Sequence, residues 1–150
     1  MIGAGAAGLA AAHALIKAGV PTLVLEKESR LAEPWYPRPE RLHLNSHRDL
    51  STLPGVDYPA GTPAFPHKNA VVRYLNEFSR RMVCRSGLAS PSRRSRSTAI
   101  TGLLRPVQGE ADPKLPGLWF TGMRPSIRGC FANAGIQANA IAQQIVRQGR

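Results

Sequence analysis

The sequence predicts an α/β fold built on a nucleotide-binding βαβ unit, and three observations carry the prediction. Gly3, Gly5 and Gly8 fall in the spacing G-x-G-x-x-G. A helix-like run follows, with Leu9, Ala12, Leu15 and Ile16 on one side, and stops at Gly19-Val20-Pro21, a C-cap glycine with a proline just beyond. An apolar strand, Thr22–Leu25, then ends in Glu26, about twenty residues after the motif. Glycine spacing alone is a weak sign, since alanine-glycine runs occur in ordinary helices. Turn, capped helix and acid-tipped strand in succession are specific to a Rossmann-like unit.

Each part has a physical job there. Gly3 allows the tight turn from strand to helix. Gly5 lacks a Cβ, so a pyrophosphate can approach the backbone, and Gly8 lets helix and sheet pack closely. The amides of Ala6 and Ala7 open the helix, where the macrodipole favours negative charge. Glu26 can accept hydrogen bonds from a ribose diol, and Lys27 beside it completes this group of candidate residues. The strand expected before Gly3 is reduced to Met1-Ile2.

At 150 residues the chain holds one domain's worth of material, and its 43% hydrophobic content fits a soluble globular protein. Lys17, Pro21 and Glu26 interrupt its one long apolar run, so no transmembrane span is expected. That run also lacks the basic start of a signal peptide. Two cysteines, Cys84 and Cys130, make no disulfide framework and fit a reducing compartment, so the expected location is cytoplasmic. The net charge of +11 points to nucleic acid or an anionic surface, but much of it is local, in Arg80, Arg81, Arg85, Arg93, Arg94 and Arg96.

The stretch 28–66 carries prolines at 34, 37, 39, 54, 59, 63 and 66, which exclude long helices and central strands. Its apolar residues, among them Trp35, Tyr36, Leu42, Leu53, Tyr58 and Phe65, are too many for a solvated linker, so it is expected to wrap the core. An amphipathic helix is expected from His67 to about Val83, with Val71, Leu75, Phe78 and Met82 inward. From Cys84 to about Lys114, Ser, Arg, Pro and Gly dominate, and the reading is a linker, disordered over Ser86–Ser97. A short buried strand at Leu118–Thr121 and Gly122 follow. A closing helix over Asn133–Arg147 is expected to turn Ile136, Ala140, Ile141 and Ile145 inward. The domain plan is therefore residues 1–83, a linker 84–114, and residues 115–150. No histidine or cysteine spacing suits a metal, no nucleophile–base arrangement is visible, and no catalytic residue is assigned.

With these residues placed, the chain resembles the flavin-containing monooxygenases over about 1–83 and 116–146. The resemblance rests on GAGAAGLAAA with Glu26, on Trp35, on RLHLNSHRDLSTLPG (41–55), on the YP…FP…YL pattern (58–75) and on PGLWFTGMRPSIRGCFANAGIQANAIA (116–142). It implies a three-layer Rossmann-like domain that binds FAD through Gly3, Gly5, Gly8 and Glu26. Trp35 would lie against the flavin, and Asn45-Ser46 would sit near the isoalloxazine ring and the nicotinamide. Gly122 would border the FAD pyrophosphate, though the family's usual acid after it is Met123 here. A helix starting near Ala134-Gly135 would aim its dipole at the flavin's pyrimidine edge. The implied activity is NADPH-dependent oxygenation of a small organic substrate by O2, through a flavin C4a-peroxide.

The family also carries a second Gly-rich motif for NADPH between the two matching blocks. The Arg/Ser-rich segment stands there instead, so the resemblance implies a flavoprotein lacking its NADPH domain, incomplete as an enzyme. Two other classes stay open. One is a basic nucleic-acid-associated protein using Arg93-Arg94-Ser95-Arg96, a segment with no interleaved aromatics for base stacking. The other is a remnant that folds in part and does nothing.

Overall fold

The structure, a computed structural model, describes residues 2–82, 88–89, 117–122 and 129–148. Helix α1 spans Ala6–Lys17, a run of alanines and leucines whose only β-branched member is Ile16. It ends as the sequence predicts. Gly19, at φ +77°, donates to Ile16 O at 3.0 Å, and Val20 donates to Leu15 O at 2.9 Å, the paired bonds of a Schellman motif. Strand β1, Val24–Leu25, follows. On one side Leu25 bridges Ile2 in parallel; on the other β1 pairs in parallel with β2, Leu88–Ala89, in the register Val24↔Leu88 and Leu25↔Ala89. The resulting order is Ile2–β1–β2, and the parallel pairing of Ile2 with Leu25 across the α1 crossover is what a βαβ unit requires.

Three expectations about the sheet need correction. The four-residue strand Thr22–Leu25 is regular only at Val24–Leu25. The segment Leu118–Thr121 has a single bridge residue, Trp119, and is half-buried throughout. Leu88–Ala89, placed in the disordered part of the linker, is a strand. This apolar pair stands in a Ser/Arg-rich tract, and pairing it with β1 satisfies backbone groups on that edge. The rest of the 84–114 linker, Arg93–Arg96 included, lies outside the described residues.

The proline-rich excursion wraps the core through 3₁₀ turns at Glu33–Trp35 and Arg48–Leu50, with bridges His43↔His67 and Leu53↔Val56. Leu53, Val56 and Tyr58 are buried, but Phe65, expected among the wrapping residues, is 51% exposed, its ring set at 81° to that of His47. Helix α2, Lys68–Met82, buries Val71, Leu75 and Phe78 as predicted, and also Tyr74.

Helix α3, Cys130–Gln148, starts three residues before the expected Asn133. Its buried stripe is Phe131, Ala134, Gly135, Ala138, Ile141 and Ala142. Ile136 and Ala140, expected inward, are exposed. The stripe recurs at i, i+3, i+4 and i+7, and four of its six residues are alanine or glycine. That choice has a cause: α3 packs along α1, whose buried face is itself Gly8, Ala10, Ala11, Ala12 and Ala14 around Leu9, so the two helices pack with small residues on both faces.

Candidate functional site

The glycine turn is built as its spacing predicts. Gly3, at φ +89°, turns the chain and donates its amide to Leu25 O at 2.8 Å. Gly5 is the N-cap of α1, with φ −74°, and among the described residues a Cβ there would meet nothing within 4 Å. Gly8 is the opposite case. A Cβ on it would stand 1.9 Å from Gly3 O, so only glycine permits the helix to approach its own entry turn. The first turn of α1 carries no acidic side chain, and the amides of Ala6 and Ala7 are there without an intrahelical partner.

Glu26 reaches this turn. Its carboxylate accepts the Ala4 amide with one oxygen and the Glu28 amide, at 3.0 Å, with the other. It is thus a brace of the glycine turn as well as an acceptor at the strand tip, and each oxygen keeps a further lone pair. Lys27 points away, largely exposed, and pairs with Glu28 at 3.2 Å.

The second block closes on the same place. A Cβ on Gly122, at φ +78°, would come within 2.4 Å of the Ala7 Cβ, and the Gly122 amide donates to Gln137 Oε1 at 2.8 Å. Gly3, Gly5, Ala6, Ala7 and Gly8 share with residues 117–121 the wall of a cleft of about 850 Å³. Its floor comes from Ala138, Ile141 and Ile145 of α3.

The remaining predicted residues gather at the start of α3. Trp35, half-buried, lies 6.3 Å from Phe131, the two rings tilted by 53°. Ser46 Oγ pairs with Ser51 Oγ at 2.8 Å, and a Cβ on Gly129 would meet Ser46 at 3.4 Å. Asn45 is exposed beside it. Ala134 and Gly135 are buried in the second turn, their amides inside the helical ladder, and Gly135 makes room for Pro54, 3.0 Å from where a Cβ would be. The helix start expected at these two residues is corrected to Cys130, so the amides free to face a charge belong to 130–132. From Cys130 to Gln137, which holds Gly122, the helix rises about 10 Å. The two groups are therefore the ends of one span.

Buried tyrosines stiffen this region. Tyr58 and Tyr74 stack at 4.3 Å with 20° between the rings. Burial pushes the Tyr74 phenol up to about 12, Asp57 adding to the rise and the Leu53 amide opposing it. Burial likewise raises the Tyr58 phenol far above its ordinary range. His13 packs edge-on against Phe78 at 5.7 Å, and desolvation, then Lys17, lowers its pKa. It is a packing residue.

Another cavity, about 920 Å³, lies between residues 56–63 and α2 and shares no residue with the glycine cleft. Among the described residues no group of three or more His, Cys, Asp or Glu could hold a metal. No helix among them is long and apolar enough to cross a membrane. Sequence reasoning missed Ala4 and Gln137, neither of which belongs to a spacing rule; only contacts made far along the chain reveal them.

Residues 1–78 match the family of NAD(P)-binding Rossmann-like domains. Among curated proteins, the probable indole-3-pyruvate monooxygenase YUCCA1 of Arabidopsis thaliana is 36% identical over 80 residues, 53% of this chain and 19% of that protein. Indole-3-pyruvate monooxygenase YUCCA6 of the same plant is 33% identical over 82 residues, covering 54% and 20%. Among solved structures, a flavin-containing monooxygenase from Stenotrophomonas maltophilia aligns with a TM-score of 0.50 at 30% identity, over 54% of this chain and 24% of that one. Bacillithiol disulfide reductase from Staphylococcus aureus aligns equally well, with a TM-score of 0.50 at 27% identity and the same coverage. The chain spans about a fifth of the length of the curated relatives it matches.

Proposed function

From the premise that the chain belongs to the NAD(P)-binding Rossmann-like domain family and is related to flavin-dependent monooxygenases, we propose that it is an FAD-binding part of such an oxidoreductase. The observation that carries this reading is the contrast at the glycine turn. Gly8 is required by packing alone, whereas nothing among the described residues fills the space beside Gly5. A cradle left open at a helix N-terminus with no acid in its first turn fits a pyrophosphate.

In this reading the Ala6 and Ala7 amides hold the pyrophosphate, and Glu26 takes the adenosine ribose with the lone pairs its backbone contacts leave free. Its charge disfavours a 2′-phosphate, which selects FAD over NADPH at this turn. Gly122 and Gln137 close the pyrophosphate side. Trp35, Ser46 with Asn45, and the amides at the start of α3 bound the ring end and keep it from water. FAD supplies the redox chemistry when bound; the protein binds, orients and shields.

The part matched is common to an oxygenase and a disulfide reductase, so oxygenation of a small organic substrate by O2 is the family's expectation rather than a property of this turn. The second Gly-rich motif, the expected NADPH platform, is not in the sequence. NADPH should therefore reduce the bound flavin negligibly, since hydride transfer depends steeply on positioning. The test is titration of purified protein with FAD and with NADPH, followed by flavin absorbance. One FAD bound per chain, more tightly than NADPH and little bleached by it, is the expected result. Tighter binding of NADPH would overturn the assignment of Glu26, and rapid saturable bleaching would overturn the expected incompetence.

A further inference from the structure

We infer that Lys68 is a positioning residue of the cofactor site, holding Trp35 in place by clamping the strap that follows it. The inference rests on the reading above that Trp35 lies against the flavin. Lys68 opens α2, yet it is only 3% exposed. A buried ammonium persists only when its three donors are matched. Here all three are: Nζ donates to Tyr36 O at 3.1 Å, Arg38 O at 2.7 Å and Glu40 Oε1 at 2.6 Å.

The acceptors are alternate residues of one strap, and that strap begins at the residue after Trp35. The Lys68 amide adds a bond to Leu42 O at 2.9 Å. The strap is thus fastened to the first turn of α2 at four points, three of them on one side chain. Trp35 itself is half-buried and touches Phe131 from one side, so its placement depends on where the strap is fixed. Glu40 is 82% exposed and contributes the least confined of the three acceptors. The two carbonyls are therefore the main function of the clamp, and they need an ammonium with a reach of four methylenes.

Lys68→Met keeps the buried stem and removes the donors. The expected result is FAD affinity weaker by about tenfold, and, in a Trp119→Phe background used only for fluorescence because Trp119 lines the cleft, a changed emission from Trp35, there the only tryptophan. Trypsin cleavage after Arg41 in the cofactor-free protein should be faster by a similar factor, while cleavage after Arg73, inside α2, stays slow. Lys68→Arg should restore part of both, and Glu40→Gln should move neither by more than about twofold. Unchanged emission and unchanged cleavage after Arg41 would overturn the clamp. A loosened strap with undiminished FAD affinity would overturn its role at the site. If the unmutated protein holds no FAD, the proposed function falls, and proteolysis with Trp35 emission still decides the clamp.

Discussion

Tyr74 joins α2 to the proline-rich excursion through one oxygen. The ring is 2% exposed, and its hydroxyl accepts from the Leu53 amide and donates to Val56 O at 2.8 Å. Tyr58, stacked on it, has a buried hydroxyl with no hydrogen-bond partner among the described residues. Tyr74→Phe should cost about 1–3 kcal/mol in urea denaturation, because it strands a buried amide, whereas Tyr58→Phe should be neutral or stabilising. The pair also sets an alkaline limit. Unfolded phenols ionise near pH 10, while folded Tyr74 holds its proton to about pH 12 and Tyr58 for longer. The unfolded state therefore binds fewer protons above pH 10. Stability present below that pH falls as pH rises towards 12. A denaturation midpoint that stays flat across that window would contradict the burial of these rings.

Also at the residue scale, Glu26 braces the glycine turn and is proposed to take the ribose, and one substitution confuses the two. Glu26→Ala removes the proposed ribose acceptor and the brace on Ala4 together. Glu26→Gln removes the charge and keeps one acceptor oxygen, enough for the Ala4 amide but not for the Glu28 amide as well, so it should hold the turn better than Glu26→Ala and relax discrimination against a 2′-phosphate. Relative affinity for NADP⁺ and FAD in the two variants checks this. Equal discrimination before and after Glu26→Gln would show that charge at this position does not select the nucleotide.

Among the elements, α3 separates what periodicity can reveal from what it cannot. A 3.6-residue pattern was legible, and so was a helix. Of the residues expected inward, Ile141 is buried, but Ile136 is 53% exposed and Ala140 is exposed, while Ala138 is 1% exposed. Small residues carry little hydrophobic signal, and their use here depends on α1, more than a hundred residues earlier, offering a small face too. Ala138→Leu should therefore overpack the helix pair and cost about 1–3 kcal/mol, whereas Ile136→Gln should stay within about 0.5 kcal/mol. Urea denaturation of both tests the assignment of faces. The end of α1 was legible for the opposite reason: the Schellman bonds at Gly19 are local, and Gly-Val-Pro states them directly. Strand β2 was hidden because two apolar residues in an Arg/Ser-rich tract make no pattern, and only the edge of β1 gives them a partner.

Across the whole molecule, the two blocks separated by 84–114 come together where the glycine turn and Gly122 meet, with α3 spanning from that cleft to Trp35. The glycine spacing and the acid after it made this end of the site legible from sequence. The brace from Glu26 to Ala4, the Gln137 contact and the Lys68 clamp were not, because each joins residues fifteen or more positions apart. Against the charge of +11, no nucleic-acid interface is needed to account for the cleft, and the matches with known proteins fall on the nucleotide-binding part. The most direct measurement is an FAD titration of the unmutated protein beside Gly5→Ala and Gly8→Ala. Gly5 has ordinary backbone angles and open space beside it, so its alanine variant should keep stability to within about 1 kcal/mol. It should nonetheless lose FAD affinity by at least about tenfold, or 1.4 kcal/mol. Gly8→Ala should lose both stability and affinity. FAD bound as tightly by Gly5→Ala as by the unmutated chain, or no FAD held by the unmutated chain at all, would contradict the account.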